Sequence, residues 1–175
     1  MACFWPSTAA GGLALFDNQP NLKELSDFIL ADMGTHIFDV ARFLCGEPRQ
    51  LYCQMNQSRP DIRGEDLASM MCLTENGVTV ICNLSYASKL ENDRFPETRI
   101  RIEGESGSLQ LDDDFWISLT TNAGTLRRRY PPPFLAWADP RYALVHSSMV
   151  ACQENLLRSI LGGAPAETTA ADNLK

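Results

Sequence analysis

The apolar period of this sequence changes at Gly46-Glu47-Pro48, and nothing else in the chain constrains the fold as much. Before that point Met33, Ile37, Val40 and Leu44 fall on one stripe at about 100° per residue, the pattern of an amphipathic helix. A glycine just past the last turn and a proline beyond it are helix stop signals. After that point the period is 2. Leu51, Cys53 and Met55 alternate with Tyr52, Gln54 and Asn56. Two further β-rich runs, 67–74 and 78–88, meet across Asn76-Gly77, a pair that accepts φ > 0 and reads as a two-residue hairpin. That loop would set Glu75 opposite Val78 and Leu73 opposite Val80. Runs at 98–103, 109–111, 115–121 and 125–130 extend the pattern, with turns at Glu105-Ser106-Gly107-Ser108, Asp112-Asp113-Asp114 and Asn122-Ala123-Gly124.

Pro131-Pro132-Pro133 stops the sheet, and an aromatic loop follows over 134–140. Val145, Met149, Cys152, Leu156 and Ile160 then recur at helical spacing up to Gly162-Gly163. Thr169-Ala-Ala-Asp172 matches a capping box at a third helix start, six residues before the sequence stops at Lys175. That spacing is expected of a piece cut from a longer protein. Residues 1–21, rich in Gly, Ala, Pro and Asn, read as a connecting segment with a short strand at 13–16. The whole of 1–175 is then one α+β domain: an open, mainly antiparallel sheet of six to seven strands, with helices packed on one face. The other face, carrying Tyr52, Met70 and Cys72, is apolar enough for subunit association.

A net charge of −7 argues against a nucleic-acid or anionic-membrane partner. The one basic cluster, Arg127-Arg128-Arg129, reads as a solvated or subunit-facing strand edge. No apolar run approaches the ~20 residues of a membrane span, and the first dozen residues lack the basic start of a secretory signal. The six cysteines form no C-x-x-C pair and sit in apolar patterns, as free thiols do in a reducing cytoplasm. With two histidines more than a hundred residues apart, no metal site is expected.

Beside the helix's apolar stripe runs another, holding Asp32, His36, Asp39 and Phe43. A carboxylate and an imidazole one turn apart can both reach one bound hydroxyl. The imidazole takes the proton, and the carboxylate raises its basicity and fixes its orientation. The same residues also suit a plainer role, with Asp32 capping the helix and His36 a satisfied half-buried side chain. No local motif supports a Ser or Cys nucleophile.

Asp32-x-Gly34-x-His36-x-x-Asp39, followed by Ala41-Arg42-Phe43-Leu44-x-Gly46-Glu47-Pro48, resembles the signature of the glucose–fructose oxidoreductase, inositol dehydrogenase and MocA family. Gly77-Val78 in a hairpin, Ile102-Glu103-Gly104-x-x-Gly107-Ser108-Leu109 and Gly163-x-Pro165-x-Glu-Thr-Thr-x-Ala-Asp172 are similar to later parts of that family's C-terminal domain. The resemblance implies the substrate domain of an enzyme that moves a hydride between a sugar or polyol hydroxyl and NAD or NADP. It implies His36 as the acid–base residue, Asp32 as its catalytic partner and Asp39 as a substrate-orienting group. Tyr86 and Trp137 are further substrate-pocket candidates, for which core packing is the competing reading.

The G-x-G-x-x-G turn of a dinucleotide-binding domain and the family's Glu-Lys-Pro motif are absent, so no cofactor-binding residue is expected in this chain, which would be inactive alone. A homodimer or tetramer through the open sheet face is the expected assembly. Two other functions fit the residues: a non-catalytic dimerisation or ligand-binding module, and a hydrolase or isomerase that uses Asp32 and His36 without nicotinamide.

Overall fold

A computed structural model of the protein describes residues 3–9, 16–17, 19–88, 97–167 and 169–174, with backbone alone at 3–9 and 141. The chain forms two compact units, Met1–Tyr130 and Pro131–Lys175. In the first, eight strands make one sheet: β1 (Cys3–Ala9), β2 (Pro48–Asn56), β3 (Leu67–Thr74), β4 (Thr79–Ser85), β5 (Glu97–Gly104), β6 (Gly107–Asp112), β7 (Trp116–Thr121) and β8 (Gly124–Arg129). Their spatial order is β2-β3-β4-β1-β5-β6-β7-β8. Only the β1–β4 pair is parallel, so the sheet is mainly antiparallel, as the alternating pattern implies.

The strand beyond the six or seven legible in the sequence is β1, which corrects the reading of 1–21 as a connecting segment. It lies between β4 and β5, in the middle of the sheet. Pro6 sits within it, and a proline, having no N–H for the ladder, ordinarily marks an edge strand or no strand at all. Of the strand expected at 13–16, residues 13–15 lie outside the described residues, and Phe16 lies in a helical turn.

The hairpin at Asn76-Gly77 forms, but one residue longer than expected. Thr74 N–H donates to the Val78 carbonyl (3.0 Å), and Gly77 N–H to that of Thr74 (3.0 Å), which makes a three-residue loop. Gly77 takes φ 77°, whereas Asn76 keeps a negative φ and sends its side-chain amide to the Cys45 carbonyl (3.3 Å). Leu73 therefore pairs with Thr79, and Cys72 with Val80. A one-residue slip turns every side chain of a strand to the other face.

Met70 and Cys72 accordingly face the helices, while Tyr52 pairs with Met71 on the open face. Ala68, Met70 and Cys72 of β3 and Val80, Cys82 and Leu84 of β4 join one core with Phe28, Ile29, Met33, Ile37, Ala41 and Cys45. The last three lie on helix α1 (Thr35–Cys45), which continues a π-helical turn over Leu30–Gly34. The buried stripe of α1 differs from the expected one: Ala41 and Cys45 are inside, and Val40 and Leu44 are 38% and 47% exposed. Residues four apart advance about 40° around a helix, and a twisted sheet keeps its contact with a helix along such a winding line.

In the second unit, α2 (Ala143–Ile160) follows the aromatic loop, and α3 (Ala170–Asn173) follows Thr169. Thr169 Oγ1 accepts the Asp172 N–H (3.2 Å), the cap expected from the sequence. No described helix is long and apolar enough to cross a membrane.

Candidate active site

Asp32 does not start the helix as a cap. It lies inside the π-helical turn, where Thr35 N–H reaches back five residues to the Leu30 carbonyl. Asp32's own N–H donates to the Phe28 carbonyl (2.9 Å). Single π turns within α-helices are frequent at functional sites, because the extra residue redirects the side chains of that turn. His36, in the first turn of α1, is exposed, and Asp32 is half-buried. The two are four residues apart on one continuous helical backbone.

A polar loop holds the start of this helix in place. Glu65 Oε1 accepts the amide hydrogens of Phe28 (3.0 Å) and Leu30 (3.2 Å), and its carbonyl accepts that of Ile29 (3.1 Å). Next to it, Asp66 is wholly buried. Its carboxylate takes hydrogen bonds from Ser58 N–H (2.7 Å), Ser58 Oγ (2.8 Å) and Arg59 N–H (3.0 Å), which offset the cost of desolvating a charge. Its carbonyl accepts Tyr86 N–H (2.9 Å). Gly64 makes the close approach possible. A Cβ there would stand 2.7 Å from the Leu25 carbonyl oxygen and 2.9 Å from that of Ser26.

Tyr86 follows the last residue of β4 and is 3% exposed. Its ring stacks on Phe28 at 4.6 Å and tilts against Phe16 at 5.9 Å. Its phenol O–H donates to Asp32 Oδ2. Burial, followed by this bond and the carboxylate's charge, raises the phenol's pKa well above the ordinary tyrosine value, so the group keeps its proton.

The structure thus brings Asp32 and Tyr86 together. Asp39 lies further along α1, exposed, with its Oδ1 3.7 Å from Arg42, whose guanidinium also holds Glu47 at 2.9 and 3.0 Å. Trp137 belongs to the second unit, where it is 68% exposed and its ring meets His146 edge-on at 5.5 Å. The 89–96 loop, read as following the pocket strand, lies outside the described residues. Sequence reasoning assigned no role to Glu65 or Asp66. Two adjacent acids between a glycine and an apolar strand were the available signal.

Among the described residues, no group of three His, Cys, Asp or Glu side chains is arranged to hold a metal ion. The chain spans about half the length of the curated relatives it matches. It is 35% identical to a D-apiose dehydrogenase of Rhizobium rhizogenes over 94% of this chain and 48% of that protein. A second D-apiose dehydrogenase, from Paraburkholderia graminis, is 34% identical over 92% of this chain and 43% of that protein. The fold superposes with a TM-score of 0.90 and 35% identity on an oxidoreductase from Agrobacterium radiobacter crystallised with NAD+, L-tartaric acid and magnesium, covering 98% of this chain and 50% of that one. A levoglucosan dehydrogenase in complex with NADH and levoglucosan shares the fold at 16% identity and a TM-score of 0.76, over 98% of this chain and 52% of that one. Residues 7–110 match the GFO/IDH/MocA C-terminal domain. With that domain over more than half its length, around a helix that carries Asp32 and His36, this chain belongs to the GFO/IDH/MocA family.

Proposed function

We propose that these residues form the substrate half of an NAD(P)-dependent dehydrogenase acting on a hydroxyl of a sugar or polyol. The observation that carries the reading is the helix bearing a half-buried Asp32 and, one turn on, an exposed His36. In this arrangement the neutral imidazole takes the proton of the substrate hydroxyl as the carbonyl forms, and Asp32 orients the ring and stabilises the imidazolium. Asp39 on the same helix orients a second hydroxyl. The two D-apiose dehydrogenases named above support a sugar as the substrate class.

The described residues offer no cradle for the dinucleotide. Of the glycine pairs among the described residues, Gly104 and Gly107 flank a β-hairpin, and Gly162 and Gly163 follow the end of α2. Neither lies between a strand and a helix N-terminus, where a dinucleotide pyrophosphate sits. NAD or NADP is therefore assigned to a part of the protein outside these residues. Free thiols at Cys45, Cys53, Cys72, Cys82 and Cys152 suit a reducing, cytoplasmic setting. The exposed Tyr52–Met71 pair on the open sheet face is the proposed contact of a homodimer or tetramer.

In the full-length protein, His36→Ala should lower turnover of a sugar or polyol by about 100-fold or more. Cofactor affinity, measured by fluorescence of the bound reduced nicotinamide, should stay as it was. Undiminished turnover in that variant refutes the assigned role.

A further inference from the structure

Resting on the reading above, we infer that Tyr86 is a positioning residue for the reaction: its phenol fixes the Asp32 carboxylate in the orientation that His36 and the substrate hydroxyl require. A phenylalanine would fill the same aromatic stack with Phe28 and Phe16 and bring no polar group into the core. A buried phenol has to find a hydrogen-bond partner, and a backbone carbonyl would serve. Here the partner is instead the side chain of Asp32, 54 residues earlier in sequence.

The donor is rigid along its whole length. The Tyr86 ring is held by two aromatic neighbours, and its N–H by the carbonyl of Asp66, whose own carboxylate is tied down by Ser58 and Arg59. The acceptor's backbone is fixed too, since Glu65 grips Phe28 and Leu30, the residues that open the helix. Carboxylate rotation is the freedom that remains, and the phenol removes it by engaging Oδ2. Asp32 Oδ1 takes no hydrogen bond from any described residue, which leaves that oxygen for the imidazole or the substrate. Because burial keeps the phenol protonated, the donor is present throughout the working pH range. Misplacing a reacting group by about 1 Å can cost about 100-fold in rate, so a fixed carboxylate is worth the desolvated phenol.

The test is a double-mutant cycle in the full-length protein with Tyr86→Phe, Asp32→Asn and both together, assayed with D-apiose and a panel of aldoses and polyols against NAD+ and NADP+. Tyr86→Phe should lower kcat about tenfold with KM moved less than about twofold, at an unchanged melting temperature. In the Asp32→Asn background the same change should have almost no further effect on kcat. A rise in KM at constant kcat would mean that the phenol touches substrate. An equal loss in both backgrounds would mean that it acts independently of Asp32. Either result overturns the inference, as does a Tyr86→Phe variant indistinguishable from the parent. His36→Ala run alongside separates the two ideas: an inactive His36→Ala with a silent Tyr86→Phe sinks only the positioning role. An active His36→Ala sinks the acid–base assignment instead. A parent that oxidises none of the panel overturns both.

Discussion

At the scale of single residues, the core is unusual in its thiols. Cys45, Cys72 and Cys82 are all buried in one cluster, between α1 and the β3–β4 pair. Burial first, and then mutual repulsion of the neighbouring sulfurs, pushes the Cys82 thiol from its ordinary value of 9.0 up to about 12, and Cys45 and Cys72 shift in the same direction. Above pH 9 an unfolded chain gives up these protons while the folded one keeps them, so the native state binds more protons and stability falls as pH rises. The loss is confined to the interval between 9.0 and about 12, and nothing changes on this account below it. Urea melts at pH 8 and pH 10 should show it, and replacing Cys82 by alanine should reduce the slope. At pH 8, peptide mapping after brief alkylation should find Cys152, which is exposed, labelled well before Cys45, Cys72 or Cys82. Equal labelling would contradict the burial of the cluster.

At the scale of elements, the segment 58–66 does more than connect β2 to β3. Gly64 lets it press against 25–28, Glu65 receives the amides that open the site helix, and Asp66 carries Tyr86. A methyl group at Gly64 would meet two backbone carbonyl oxygens, neither of which can swing aside like a side-chain tip. Gly64→Ala should therefore cost about 1–3 kcal/mol by denaturant titration and lower kcat as well, because the strain falls on the turn before Asp32. A variant as stable as the parent would mean that 25–28 yields more easily than its contacts suggest. The elements around this loop were readable in part. Helix α1 and its stop at Gly46-Glu47-Pro48 follow from period and punctuation, both local properties. The register after Asn76 does not, because Asn76 gives its side chain to the Cys45 carbonyl instead of occupying a left-handed turn position. That partner is 31 residues away and invisible to a turn rule.

At the scale of the molecule, the open sheet face carries the proposed contact with other chains. Tyr52 and Met71, opposite one another on β2 and β3, are 62% and 52% exposed. The full-length protein should sediment as a dimer or tetramer at micromolar concentration, and Met71→Lys should shift it towards monomer. A parent that is monomeric at every concentration would leave that face without the proposed partner. The sequence by itself determined the class of fold, the helix that bears Asp32 and His36, the hairpins and the family, because periodicity, turn chemistry and motif spacing act over a few residues. Only the tertiary structure decided that 3–9 is a central strand, that Glu65 and Asp66 fasten the site, and that Asp32 bonds to Tyr86. The partners of β1, Glu65 and Tyr86 lie dozens of positions away, where pairing and desolvation, not local preference, set the free energy.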